Sequence, residues 1–151
     1  MMSLKKITLV TLALLAMTAC SKSADTASAG STEVADRQAL MKDWRAASDI
    51  LKGMSENPAN FDAAVVKEQA KFLADGSAKM WTYFGDANAK GEATDAVWSD
   101  AAGFKAATEN FNAAVAELNT VAQTATQVSD IEAALGKVGE SCGSCHKVYK
   151  K

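Results

Sequence analysis

Apolar residues recur at helical spacing in four stretches of the chain. In the first, from about Thr32 to Met54, the inward positions follow alternating steps of three and four residues: Val34, Arg37, Met41, Trp44, Ser48 and Leu51. This spacing is typical of one face of an α-helix. The pair Asn57-Pro58 ends the pattern, because the residue before a proline disfavours helical backbone.

The second and third stretches predict two further helices. The second begins near Asn60 and ends near Phe84, and a broad apolar face is shared by Phe61, Val65, Phe72, Leu73 and Met80, although Gly76 weakens the centre. A loop covers residues 85–94. The third begins near Asp95. Its apolar residues stand seven positions apart and have alanines between them: Val97, Phe104, Phe111, Leu118 and Ala125. This heptad seam with small partners suits close helix packing.

The fourth stretch opens at Ser129-Asp130-Ile131-Glu132, which has the pattern of a capping box. Its inward stripe again follows steps of four and three: Ile131, Leu135, Val138, Cys142, Cys145 and Tyr149. The two cysteines therefore continue the core stripe, so whatever they hold lies at one end of the core. Four helices with short connections predict an all-α fold, an antiparallel four-helix bundle over residues 32–151.

Residues 1–19 have the layout of an export signal, with Lys5 and Lys6 before a short apolar run. The run is too short to cross a membrane comfortably. The ending M-T-A-C at positions 17–20 resembles a bacterial lipobox and predicts a lipid on Cys20 after cleavage. Met17 stands where leucine is usual, so ordinary cleavage to a soluble protein is the alternative. Residues 20–31 are small and polar, which predicts a flexible tether.

Composition adds two constraints. A net charge of −2 over 151 residues gives no electrostatic case for binding nucleic acid. The three cysteines leave no free thiol if Cys20 is lipidated and the other two are bonded to a cofactor.

The sequence C-G-S-C-H at positions 142–146 is a haem c attachment signature. Thiols three residues apart on a helix point the same way, and each adds across one vinyl group of the porphyrin. His146 is the only histidine and lies one turn beyond Cys142, so it is the predicted axial ligand of iron. We therefore predict one covalent haem c.

Other interpretations of the cysteine pair are weaker. A redox dithiol uses the same C-x-x-C spacing. A zinc site would need a second pair of ligands, which the sequence does not offer. A structural envelope lipoprotein with an idle C-x-x-C follows only if haem is absent. The sixth position of iron has one strong candidate, Met41, which is either a sulfur ligand or apolar packing.

The region from Arg37 to Lys151 resembles cytochrome c′, a haem protein of bacterial periplasms. The resemblance rests on R-Q-A-L-M at 37–41, F-D-A-A at 61–64, M-W-T-Y-F-G at 80–85, A-V-W-S-D at 96–100 with Phe104, and S-C-G-S-C-H-K-V-Y-K at 141–150. It implies a four-helix bundle, often dimeric through its first two helices. It also implies a typically five-coordinate iron, with His146 on the exposed proximal side.

The resemblance further implies which residues surround the haem: Arg37, Gln38, Met41, Trp81, Phe84, Thr94, Asp95 and Lys150. Arg37 and Gln38 match positions at the haem edge, where an arginine pairs with a propionate, and Met41 matches the apolar cover of the distal face. Lys150 stands where the family often has arginine, but lysine lacks the planar fork. Trp44 and Trp98 are expected to be core residues.

The function implied by the resemblance is binding of nitric oxide and carbon monoxide, or electron transfer with an unidentified redox partner. The alternative is a six-coordinate His/Met electron carrier on the same fold. We do not expect an enzyme, because peroxidase-like sites place polar acid–base groups over iron and no distal histidine exists. The expected location is the periplasm, with the protein anchored to a membrane through lipid on Cys20.

Overall fold

The computed structural model describes residues 22–151, so the predicted signal peptide and Cys20 lie outside the described residues. Within this range the chain forms five α-helices: α1 Lys22–Glu56, α2 Ala63–Met80, α3 Ala96–Ser99, α4 Ala101–Ala122 and α5 Glu132–Tyr149. None of the described helices is both long enough and apolar enough to cross a membrane.

The four long helices confirm the predicted four-helix bundle. α1 packs on α2, α2 on α4 and α4 on α5, whereas α1 and α5 make few contacts. The stripes expected on the first and fourth stretches face the centre, and its most buried side chains are Leu51, Val66, Leu73, Met80, Val115, Leu118, Ile131 and Val138. Val66 and Val115 lie outside the expected stripes, and Phe72, expected on the apolar face of the second stretch, is 39% exposed. The bundle is therefore closed on three sides and left open between α1 and α5.

The first helix begins earlier than expected. Residues 22–31, predicted as part of a flexible tether, belong to α1 in the structure. The segment is rich in alanine, the best helix former, and extending an existing helix is far easier than nucleating one. Gly30 is buried, and a Cβ there would lie 3.2 Å from the Cβ of Ala89.

The third predicted helix is interrupted near its start. α3 ends at Ser99, and Asp100 takes a non-helical backbone with φ −118° and ψ 57°. The Asp100 carboxylate then accepts a hydrogen bond of 3.1 Å from the backbone N–H of Gly103 and caps α4. Aspartate competes well for such capping positions, which explains a break that periodicity alone does not reveal.

The predicted capping box before α5 lies two residues earlier than expected. Gln127 and Asp130 form the reciprocal pair, around a short 3₁₀ turn over Val128–Asp130. The Asp130 carboxylate accepts hydrogen bonds from the backbone N–H groups of Thr126 and Gln127, at 2.8 and 3.2 Å. These bonds lower the pKa of Asp130. α5 itself begins at Glu132 without a side-chain cap.

Candidate haem site

A cavity of about 1050 Å³ lies between α1 and α5, where the bundle is open. Its volume is slightly above the usual range for small-molecule sites, about 300–1000 Å³. The cysteines and the histidine of the attachment motif all line it. The structure therefore places the motif at the gap between α1 and α5.

The α5 wall carries the reactive groups. Cys142 and Cys145 are half-buried and follow Leu135 and Val138 along the stripe that faces the core. Burial raises the pKa of both thiols, and for Cys145 the neighbouring Cys142 adds to the effect. A redox dithiol normally depends on a lowered thiol pKa, so these thiols are poorly suited to that role.

The environment of His146 favours the neutral form of its imidazole. Loss of solvent around the ring, and then the positive charge of Lys150, lower the pKa of the imidazole. A neutral imidazole has a nitrogen lone pair free for a metal. Within the part of the chain that the structure describes, no three histidine, cysteine or acidic side chains converge to hold a metal ion by themselves. The donor set fits a porphyrin-held iron and does not fit a zinc site.

The cavity has an apolar wall opposite α5, formed by Met41, Trp44, Leu73, Trp81, Phe84 and Phe111. Charged side chains of α1 line the cavity as well, among them Lys42, Arg45, Asp49 and Lys52. Trp81 is fixed by a hydrogen bond of 2.8 Å from its Nε1 to Oδ1 of Asn112, and its ring lies 6.3 Å from that of Phe84. A flat apolar group held by the two thiols would thus lie between α5 and an aromatic wall. The residues present fit haem c.

Arg37 is buried beside this wall, at 5% exposure. It donates hydrogen bonds to three backbone carbonyls, of Tyr83 at 3.0 Å, Ala89 at 3.1 Å and Lys90 at 2.7 Å. Burial lowers the pKa of its guanidinium, against an opposing effect of Glu33. Arg37 and Gln38 both line the cavity. Arg37 also fastens the 85–94 loop to α1.

Thr94 and Asp95 do not line the cavity. The Thr94 hydroxyl donates to the Val148 carbonyl at 3.0 Å, and the Thr94 N–H donates to the Tyr149 carbonyl at 3.0 Å. Asp95 pairs with Lys90 at 2.8 Å. Lys150 does line the cavity and pairs with Glu92 at 3.2 Å. The 85–94 loop is therefore joined to the end of α5, immediately after the motif.

Several cavity residues were not predicted from the sequence. They include Trp44, expected only as core, and also Lys42, Arg45, Leu73, Phe104 and Phe111. For Trp44 the signal exists, because it stands one turn after Met41 on the same face of α1. The others become visible only once the neighbouring helices are known.

The chain is similar to known proteins over most of its length. The sequence model of the family described as Cytochrome C′ matches residues 32–150. Cytochrome c′ from Rubrivivax gelatinosus is 41% identical over 101 residues, covering 65% of this chain and 78% of that protein. The one from Alcaligenes xylosoxydans xylosoxydans is 38% identical over 102 residues, covering 68% and 76%.

Solved structures agree with this similarity. The crystal structure of the Rubrivivax gelatinosus cytochrome c′ superposes with a TM-score of 0.75 at 35% identity, over 81% of this chain and 97% of that one. A ferrous variant of cytochrome c prime from Alcaligenes xylosoxidans with bound NO superposes with a TM-score of 0.69 at 32% identity, over 79% and 93%.

Proposed function

Because the chain belongs to the cytochrome c′ family and carries one covalent haem c, we propose that it binds nitric oxide and similar small gases at an iron held by His146 alone. The observation that carries the proposal is the apolar wall opposite α5. Apart from the Met41 sulfur, the side chains of this wall hold no group that binds iron, so a small neutral molecule would have access to it.

The residues of the chain divide the work of holding the site. The two thiols would hold the haem as thioethers, each S–H adding across one vinyl group. The neutral imidazole of His146 would bind its iron. Trp81, Phe84 and Met41 would keep water and large anions away from it. When bound, haem c supplies a ferrous iron that coordinates diatomic gases.

Solved relatives support gas binding. The structures of cytochrome c prime from Alcaligenes xylosoxidans include nitric oxide complexes. The same observation weighs against the alternative of a six-coordinate His/Met electron carrier, in which the Met41 sulfur would occupy the position needed by a gas.

Adding nitric oxide or carbon monoxide to the ferrous protein tests the proposal. We expect the Soret band to shift with saturable dependence on gas concentration, in the unmodified protein and in Met41→Leu alike. Leucine keeps the apolar bulk and removes the sulfur. A protein that responds to gas only after Met41→Leu would show that Met41 is an iron ligand and would contradict the proposal.

We also propose export to the periplasm, on the pattern of residues 1–19, and anchoring through lipid on Cys20. Intact-mass analysis of the membrane fraction tests the anchor. A mature chain that begins at Cys20 with added lipid is expected, and Cys20→Ala should release the protein. A soluble, unlipidated mature chain would contradict the anchor but not the haem site.

The donor that reduces the iron is an unidentified redox partner.

We also propose that the chain forms a dimer through α1 and α2. Phe72 on α2 is 39% exposed and, with Leu40 and Tyr83, lines a shallow groove between these helices. We infer that this exposed aromatic side chain contacts a second copy of the chain. The variant Phe72→Glu tests the corresponding dimer.

A further inference from the structure

Trp44 differs from the other tryptophans of the bundle in how it is held. It is 5% exposed, stacks on Phe111 with ring centres 4.7 Å apart, and lines the cavity. Its Nε1 has no hydrogen-bond partner. By contrast, Nε1 of Trp81 donates to Asn112 and Nε1 of Trp98 donates to the Phe84 carbonyl at 2.9 Å. Packing alone therefore fixes the Trp44 indole.

The packing that fixes it depends on Gly76. A Cβ at this position of α2 would lie 2.7 Å from Nε1 of Trp44 and 3.2 Å from its Cε2 and Cζ2. The first of these distances is shorter than any normal contact. A glycine in the middle of a helix lowers helix stability, so its presence here needs a reason. The reason is that α2 offers a notch into which the indole edge fits.

The notch also determines how far the indole projects into the cavity. Leu73 is almost fully buried and Phe111 is stacked on the ring, so the interior around Trp44 is already filled. The indole borders the cavity on its open side. Any side chain at position 76 would displace the indole in that direction.

We propose that Trp44, seated in the notch left by Gly76, sets the size limit for ligands that reach iron on the side opposite His146. Because the core behind the indole is filled, a small ligand fits beside the ring, whereas a bulky one meets a ring that cannot retreat. Trp44 is thus a specificity-determining residue, and Gly76 is a positioning residue that acts through it. The inference rests on the proposed gas-binding function.

The test uses a double-mutant cycle on the ferrous haem protein, with carbon monoxide and n-butyl isocyanide as small and bulky probes. We expect Gly76→Ala to slow isocyanide association about tenfold, the effect of roughly one methyl group in a tight apolar site, and to slow carbon monoxide much less. Trp44→Leu should accelerate the association of the isocyanide. In the Trp44→Leu background, Gly76→Ala should have no effect.

Gly53→Ala is the matched control, because a Cβ at that helical glycine meets nothing within 4 Å. A crystal structure of Gly76→Ala is expected to show the indole moved from α2 toward the cavity. If Gly76→Ala fails to fold, Trp44→Leu alone decides, and an unchanged isocyanide rate would overturn the proposal. An equal effect of Gly76→Ala with and without Trp44 would also overturn it. An unmodified protein that binds no carbon monoxide would instead overturn the proposed function, and the inference with it.

Discussion

The guanidinium carbon of Arg37 lies 4.4 Å from the centre of the Phe84 ring. The arginine on α1 is thus stacked on an aromatic residue at the end of the second helical stretch, while its nitrogens bind the Tyr83, Ala89 and Lys90 carbonyls. One side chain consequently joins α1, the aromatic wall of the cavity and the loop that contacts the end of α5.

Replacing Arg37 with lysine should destabilise the protein. Lysine keeps the charge but cannot donate in two directions from a planar group, and it leaves buried carbonyls without donors. We expect a loss of about 2–3 kcal/mol in the free energy of unfolding, measured by urea titration of the haem form. Arg45→Lys is the control, because its pair with Asp49 is exposed and 3.8 Å long. Equal effects of the two variants would contradict the assigned role.

Removing the Thr94 hydroxyl should loosen the end of α5. Its hydrogen bond to the Val148 carbonyl is the side-chain part of the link between the 85–94 loop and the C-terminus. Thr94→Val is expected to lower the free energy of unfolding by about 1 kcal/mol. It should also accelerate hydrogen exchange at the amides of Lys150 and Lys151. In Thr120→Val, which loses a bond within α4, these amides should exchange as before.

Stability at alkaline pH should depend on Tyr149. Burial, and then its hydrogen bond to Asp100 at 3.0 Å, raise the pKa of the phenol above its ordinary value. The unfolded chain therefore loses this proton first, at about pH 10. The stabilisation is complete below that pH and is lost as pH rises through the folded-state pKa. The free energy of unfolding, measured from pH 8 to 11, should decline less with rising pH in Tyr149→Phe than in the unmodified protein. An identical decline would contradict the assignment.

The two thioethers should be separable by mutation. Cys142→Ser and Cys145→Ser each leave one thiol, so each variant should retain covalent haem on a denaturing gel, whereas the double variant should retain none. Ser144→Ala, between the cysteines, should match the unmodified protein. Intact mass gives the number of haem groups per chain, and covalent haem in the double variant would contradict the attachment site.

A charge at position 72 should prevent the proposed dimer. Phe72→Glu would place a carboxylate in the groove between α1 and α2, next to Asp36, Asp43 and Asp75, so like charges would face each other. Sedimentation velocity should then show a monomer. Val148→Glu changes another exposed apolar residue, on α5, and should leave the dimer intact. A monomeric unmodified protein would contradict the dimer.

The sequence was most informative where chemistry and periodicity coincide. The stripe from Ile131 to Tyr149 predicted both the inward face of α5 and the place of the thiols, because a helix with one buried face repeats at a fixed spacing. The break at Asp100 was not predicted, since a capping carboxylate competes with helix continuation through a local hydrogen bond.

The missed parts of the site depend on contacts between helices. Gly76 was interpreted as a weak point in a helix, because its notch becomes apparent only when Trp44 is seen opposite it. Arg37 was expected at the haem edge, and its bonds to the loop carbonyls depend on the path of residues 85–94, which have no periodic pattern. The sequence also does not reveal that Thr94 and Asp95 lie outside the cavity lining, because the path of this loop leaves no periodic signal.

The absorption spectrum of the anaerobic ferrous protein, without added ligand, tests the central claim most directly. An iron held by His146 alone, beneath an apolar wall, should give the broad Soret and unresolved visible bands of five-coordinate, high-spin haem. Narrow, well-resolved α and β bands that persist under carbon monoxide would show that a second side chain already occupies the iron, and would contradict the account.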